Sequence, residues 1–236
     1  FLFNICQCTP DWTPSNFVKS TISDISEIVG EDKLVCGLSG GVDSSVVATL
    51  LHKAIGERSH CIFIDHGMLR KDEVNQVMGS LKSGLGLNIH HFDHSEEYLN
   101  KLSGVTDPEI KRKIIGNEFI ESFSGIASSI GDISFLAQGT LYPDIIESGG
   151  SKLGPAVTIK SHHNVGGLPD DLPFQLLEPL KELFKDEVRR VGLEMGLPDF
   201  IINRHPFPGP GLAVRIIGEI TRERLGILRE ADHIFM

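Results

Sequence analysis

The sequence predicts an α/β fold: a mostly parallel five-stranded sheet with helices on both faces. Three observations predict it. Five short apolar runs of strand length lie at residues 33–38, 60–65, 87–92, 134–138 and 156–160. Stretches of helical spacing lie between and after them, the alternation expected of parallel strands joined by crossover helices. A glycine-rich loop, residues 39–45, follows the first run at once.

Taken in order, residues 33–38 place Leu34, Val35, Cys36 and Leu38 in one uncharged run, as a fully buried strand does. After the loop, residues 46–55 read as a helix. Residues 60–65 form a second strand that ends in Asp65, and a helical pattern follows over 71–85. The third strand is expected at 87–92, a long helix at 109–130, the fourth strand at 134–138, the fifth at 156–160, and a helix at 181–195. Residues 205–211 hold three prolines and two glycines, which neither a helix nor a central strand can absorb. That segment reads as a rigid turn or linker, or as a linker that also lines a pocket.

With 236 residues, 40% of them hydrophobic, the chain can bury one good core, in one or two domains. The formal charge of −10 argues against a broad nucleic-acid surface, while leaving room for a local cationic pocket. The four cysteines do not make a zinc site: Cys6 and Cys8 are too close together and no second pair follows, while Cys36 and Cys61 sit in strand-like runs. No apolar run reaches membrane-spanning length and no leader is visible, so a cytoplasmic, membrane-free setting is expected. Both ends of the chain read as cuts within a longer sequence.

The chemistry is carried by Ser39, Gly40, Gly41, Val42, Asp43, Ser44 and Ser45. Two glycines let the backbone turn and approach a ligand closely, and the helix start behind them offers N–H groups and positive charge to a phosphate. The usual phosphate-loop lysine is absent; Val42 and Asp43 stand in its place. An aspartate there suits Mg²⁺ beside a triphosphate, or else simply caps the helix.

The loop after its buried strand closely resembles the signature of the N-type ATP pyrophosphatases. Within that family, further stretches resemble the synthetase portion of the GMP synthetases: residues 63–70, 107–116, 138–148, 160–169, 178–189 and 205–211. The resemblance implies an adenine nucleotide α-hydrolase-like sheet, ATP and Mg²⁺. It also implies adenylylation of xanthosine monophosphate (XMP) at O2 with loss of pyrophosphate, then displacement of AMP by ammonia to give GMP. It assigns Ser39 to Ser45 to the pyrophosphate end, Asp43 and more weakly Asp144 to the metal, and Asp65 and Gly67 to the neighbourhood of the adenosine. Lys160 and Lys181 become candidates for charge stabilisation, and Lys111 and Lys113 for a lid over the nucleotide. By residue chemistry alone, Lys111 to Lys113 is a surface charge run, and Glu178, Lys181, Glu182 and Lys185 make a solvated helix face.

The resemblance also implies partners and boundaries. Ammonia would come from a glutamine amidotransferase domain or subunit, since no cysteine here sits in a nucleophile elbow. Residues 1–20 would be the junction after such a domain, 21–204 the ATP pyrophosphatase domain, and 205–236 a linker and the start of a dimerisation domain. The rival readings are another member of the family, such as NAD synthetase, or an ATP-binding module without chemistry.

Overall fold

The structure, a computed structural model, describes residues 1–149 and 174–236. Among these residues the elements are, in order, α1 (Pro14–Val29), β1 (Leu34–Gly37), α2 (Val42–Ile55), β2 (Ser59–Asp65), α3 (Glu73–Val77), β3 (Ile89–Asp93), α4 (Ser95–Lys101), α5 (Pro108–Ile130), β4 (Phe135–Ala137), α6 (Tyr142–Gly149), β5 (Gln175–Leu177), α7 (Lys185–Glu194), α8 (Asp199–Ile202) and α9 (Arg222–Phe235). The strands form one sheet in the order β3-β2-β1-β4-β5, and every pairing is parallel. The expected α/β class and strand number are therefore observed.

Side-chain alternation along the strands makes two cores. Leu34 and Cys36 of β1, Cys61 and Phe63 of β2, and Phe135 and Ala137 of β4 point to one face, which α1, α2, α7 and α8 cover. Val35, Ile62, Ile64 and Leu136 point to the other, against α4, α5, α9 and residues 211–216. Burial on both faces is why these strands read as continuous apolar runs rather than alternating ones.

Helix α2 is buried along most of its length, with Val46, Ala48, Leu50 and Leu51 at 2% exposure or less. Its β-branched residues are weak helix formers, so its stability comes from packing against the sheet, α1 and α7. The approach of α7 is close: a Cβ on Gly192 would lie 2.4 Å from Ile202 Cδ1 and 3.1 Å from Val46 Cγ2. The outer helices start on local signals. Thr13 caps α1 ahead of Pro14, and Asp107 caps α5 ahead of Pro108 with its carboxylate on two backbone N–H groups.

Several expected boundaries move. Helix α2 begins at Val42 rather than residue 46, because Gly41 caps it and residues 42–45 form its first turn. The pattern over 71–85 resolves into short α3 and a π-helical stretch, Met78–Gly84. The expected helix at 181–195 starts only at Lys185; residues 179–182 form a turn. The strand expected at 156–160 lies outside the described residues, and the fifth strand of the sheet is Gln175–Leu177. No described helix is long and apolar enough to cross a membrane.

Candidate functional site

The loop from Leu38 to Gly41 joins the carboxyl end of β1, the central strand, to the start of α2. Gly40 has φ +70°, a left-handed conformation that glycine adopts without strain. Gly41 caps α2 with no side chain over the helix end, so the first-turn N–H groups keep their capacity for an anion. Serines hold the loop from within. Ser45 Oγ, fully buried, donates to the Gly41 carbonyl at 2.8 Å, and Ser44 Oγ to the same oxygen at 3.2 Å. Ser39 and Ser44 hydroxyls lie 3.0 Å apart, and the Ser39 N–H donates to Ser44 Oγ at 3.2 Å.

Asp43 leaves the first turn of α2 and is gripped by a lysine. Lys185 Nζ, at the start of α7, donates to Asp43 Oδ1 at 2.7 Å and to Oδ2 at 2.5 Å. Glu187 fixes that helix start by accepting the Phe184 N–H at 2.8 Å. Gly139, after β4, brings its backbone against Asp43: a Cβ there would lie 3.3 Å from Asp43 Cβ. Thr140 next to it donates to Glu178 at 2.6 Å. Asp43, Gly139 and Lys185 thus come together from the carboxyl side of the sheet and from α7.

On the other side of the loop, Arg204 Nη1 donates to the Gly40 carbonyl at 2.8 Å, and its Nη2 meets buried Glu73 Oε1 at 2.5 Å. After β2, Asp65 Oδ1 accepts the Gly67 N–H at 2.8 Å, and Gly67, φ +78°, packs its α-carbon against Ser95. His66 between them is buried. Its Nδ1 accepts the Met68 N–H at 3.1 Å and the Gly209 carbonyl faces the ring, so it is a neutral imidazole with its proton on Nε2. Burial lowers its pKa to about 4.

Residues 15–118 match the family model described as NAD synthase. Solved structures share this fold, two of them as follows. NMN synthetase from Francisella tularensis superposes with a TM-score of 0.63 at 17% identity, covering 94% of this chain and 95% of that one. The NH3-dependent NAD synthetase from Campylobacter jejuni gives 0.59 at 18% identity, covering 94% and 86%. This chain has the NAD synthetase fold. Its sequence is more similar to proteins named GMP synthase [glutamine-hydrolyzing]: 61% identical over all 236 residues to that of Carboxydothermus hydrogenoformans, 59% to that of Caldicellulosiruptor saccharolyticus, and 56% to that of Pseudomonas aeruginosa strain LESB58. The chain covers 45–46% of those relatives, about half their length.

Within the NAD synthetase fold, the remaining expected site residues are spread out. Asp144 accepts the Leu141 N–H at 3.0 Å and so caps the start of α6. Lys181 is exposed in the turn before α7, and Lys113 is exposed on α5. Lys111 is fully buried, its ammonium donating to the carbonyls of Ile216 at 2.8 Å and Gly218 at 2.6 Å, and burial lowers its pKa. Lys160 lies outside the described residues. Lys185, Arg204 and Glu73 were not expected at the site. Asp186 and Glu187 are the signal that could have found Lys185, since acidic residues favour a helix's first turn and so mark Lys185 as its beginning.

For a cation, the described residues contain no group of three or more histidine, cysteine, aspartate or glutamate ligands. Asp43 still fits Mg²⁺ bound with a nucleotide, because that ion keeps most of its water and takes one or two carboxylates plus phosphate oxygens.

Proposed function

We propose that this chain is the ATP pyrophosphatase portion of a GMP synthetase. XMP O2 attacks the α-phosphorus of ATP, the bond to pyrophosphate breaks, and ammonia then adds at C2 of adenylyl-XMP as AMP departs. The observation that carries the proposal is the open start of α2 beside the Asp43–Lys185 pair, in a chain 61% identical over its full length to a protein named GMP synthase.

The residues divide the work as follows. First-turn N–H groups of α2 and the Ser39 and Ser44 hydroxyls receive the leaving pyrophosphate, whose charge needs fixed donors. Lys185 exchanges its aspartate contact for a phosphate oxygen when nucleotide arrives, and Asp43 is released to hold Mg²⁺. Bound there, Mg²⁺ would neutralise charge on the departing pyrophosphate. Asp65 and Gly67 border the adenosine. Lys160 and Lys181 add positive charge, exposed Lys113 belongs to a closing segment while buried Lys111 anchors that segment's helix, and Asp144 is a second, weaker candidate for the metal.

Ammonia would come from a glutamine amidotransferase domain or subunit, in keeping with the names of the relatives. Residues 1–20 would follow that domain, 21–204 would form the ATP-using domain, and 205–236 would lead into a dimerisation domain of a homodimer.

A second reading, NAD synthesis, is favoured by the family model over residues 15–118. One assay separates the two. Mg-ATP and ammonium are supplied with either XMP or a deamidated nicotinate dinucleotide, and AMP, ADP and pyrophosphate are measured. Turnover to AMP and pyrophosphate only with XMP is the expected result. Turnover only with the nicotinate substrate would overturn the proposal in favour of the second reading, and ADP as product would overturn both.

A further inference from the structure

We propose that Arg204 is a positioning residue that locks the Gly40–Gly41 peptide in the orientation an anion requires, with Glu73 holding Arg204 in place. This rests on the reading of residues 39–45 as a pyrophosphate loop.

A Gly–Gly peptide meets the smallest steric barrier to reorientation of any in the chain. In a trans peptide the C=O of one residue and the N–H of the next point in opposite directions. A bond to the Gly40 carbonyl therefore also sets where the Gly41 N–H points. Arg204 makes that bond at 2.8 Å from outside the loop. The Gly41 N–H is turned inward, its nearest acceptor being Ser39 Oγ at 3.4 Å, a long bond that an anion could replace. If the peptide flipped, the carbonyl would face the phosphate and repel it.

The grip is itself supported. Arg204 meets Glu73 Oε1 at 2.5 Å, and Glu73 Oε2 accepts the Arg70 N–H at 2.8 Å, so both carboxylate oxygens are engaged. Glu73 is 3% exposed and the Arg204 side chain 16%, where charge-assisted bonds hold their strength against solvent. Gly40 fits tightly beneath them: a Cβ would lie 2.8 Å from Val77 Cγ2 and 3.0 Å from Arg204 Nη1. The pair borders a cavity of about 310 Å³ that also touches Asn203 and His205, so a shorter side chain at 204 finds room.

The test uses the full-length protein and its Arg204→Met, Arg204→Lys and Glu73→Gln variants. Binding of inorganic pyrophosphate with magnesium is measured by calorimetry, and hydrogen exchange by mass spectrometry over residues 39–45. Arg204→Met should bind about tenfold more weakly, the size of one lost charge-assisted hydrogen bond, and exchange faster in the loop. Its kcat/KM for ATP should fall by about the same factor, since the loop it orients receives the pyrophosphate end of the nucleotide. Arg204→Lys, which can reach one partner but not both, should fall between, and adding Glu73→Gln to Arg204→Met should cost nothing more. Unchanged exchange at 39–45 in a folded Arg204→Met protein would overturn the lock. Faster exchange with wild-type affinity would overturn its role toward the anion. Failure of the wild type itself to bind pyrophosphate, with exchange still faster in the variant, would uphold the lock and sink the pyrophosphate reading of the loop instead.

Discussion

Lys185 holds both carboxylate oxygens of Asp43, at 2.7 and 2.5 Å, although the two residues lie 142 positions apart. The pair joins the first turn of α2 to the first turn of α7 at the carboxyl side of the sheet. Both side chains are partly exposed, with 30% for Asp43 and 44% for Lys185, so the pair adds little to stability. In the proposed function it places one anionic and one cationic group where a nucleotide's phosphates and their cation would arrive.

Exchange of Asp43 for asparagine separates these roles. Asp43→Asn should leave the melting temperature within about 2 °C, the effect of a surface-scale contact, while lowering pyrophosphate release about 100-fold or more. Lys185→Met should also lower release, with a larger share of the loss in KM for ATP. Thermal melts and initial rates on the same preparations check both.

Gly211 has φ +63°, and a Cβ on it would lie 2.3 Å from the Met68 carbonyl oxygen and 2.9 Å from His66 Cε1. Leu212, next to it, donates its N–H to the same Met68 carbonyl at 2.8 Å. Gly211→Ala therefore meets backbone rather than a yielding side chain, and should destabilise by about 3 kcal/mol, measurable by urea unfolding.

His66 sets a pH dependence. Its pKa is about 4 when folded against 6.5 in the open chain, because burial disfavours the imidazolium. Between those values the unfolded state binds the proton and the folded state does not. Its contribution is thus fully present above pH 6.5 and is lost as pH falls toward 4, by about 3 kcal/mol in total. His60 and His90, stacked across β2 and β3, also have lowered pKa values and act in the same sense. Urea unfolding across this range should show a shallower acid loss for His66→Gln than for wild type.

Lys111 buries its ammonium against two carbonyls that follow the 3₁₀ turn Gly211–Arg215. Lys111→Met would leave both carbonyls without that donor. The expected result is a loss of about 1–3 kcal/mol in stability, the cost of orphaned buried acceptors, with KM for ATP nearly unchanged in the folded protein. A large KM change with no loss of stability would favour its lid role over this structural one.

Much of the sheet was legible because β1, β2 and β4 are buried on both faces and so carry uninterrupted apolar residues. The loop was legible because Gly40, Gly41 and Asp43 are adjacent in sequence. The partners of that loop were not. Lys185 reaches Asp43 only because α7 packs on α2 through Gly192, and Arg204 reaches Gly40 only because α8 ends beside the loop; neither follows from spacing. The resemblance pointed to Lys181 instead, and the helix expected over 181–195 starts only at Lys185. Lys111 looked like part of a surface charge run, but α5 turns it inward while Arg112 and Lys113 stay exposed.

The central claim is that ATP adenylylates a substrate oxygen, and isotope transfer tests it most directly. XMP carrying ¹⁸O at C2 is turned over with Mg-ATP and ammonium, and the products are weighed by mass spectrometry. The account predicts that the label leaves in AMP, because the oxygen that attacked phosphorus departs with it. Label-free AMP alongside GMP would mean that no adenylyl-XMP formed, and would contradict the account.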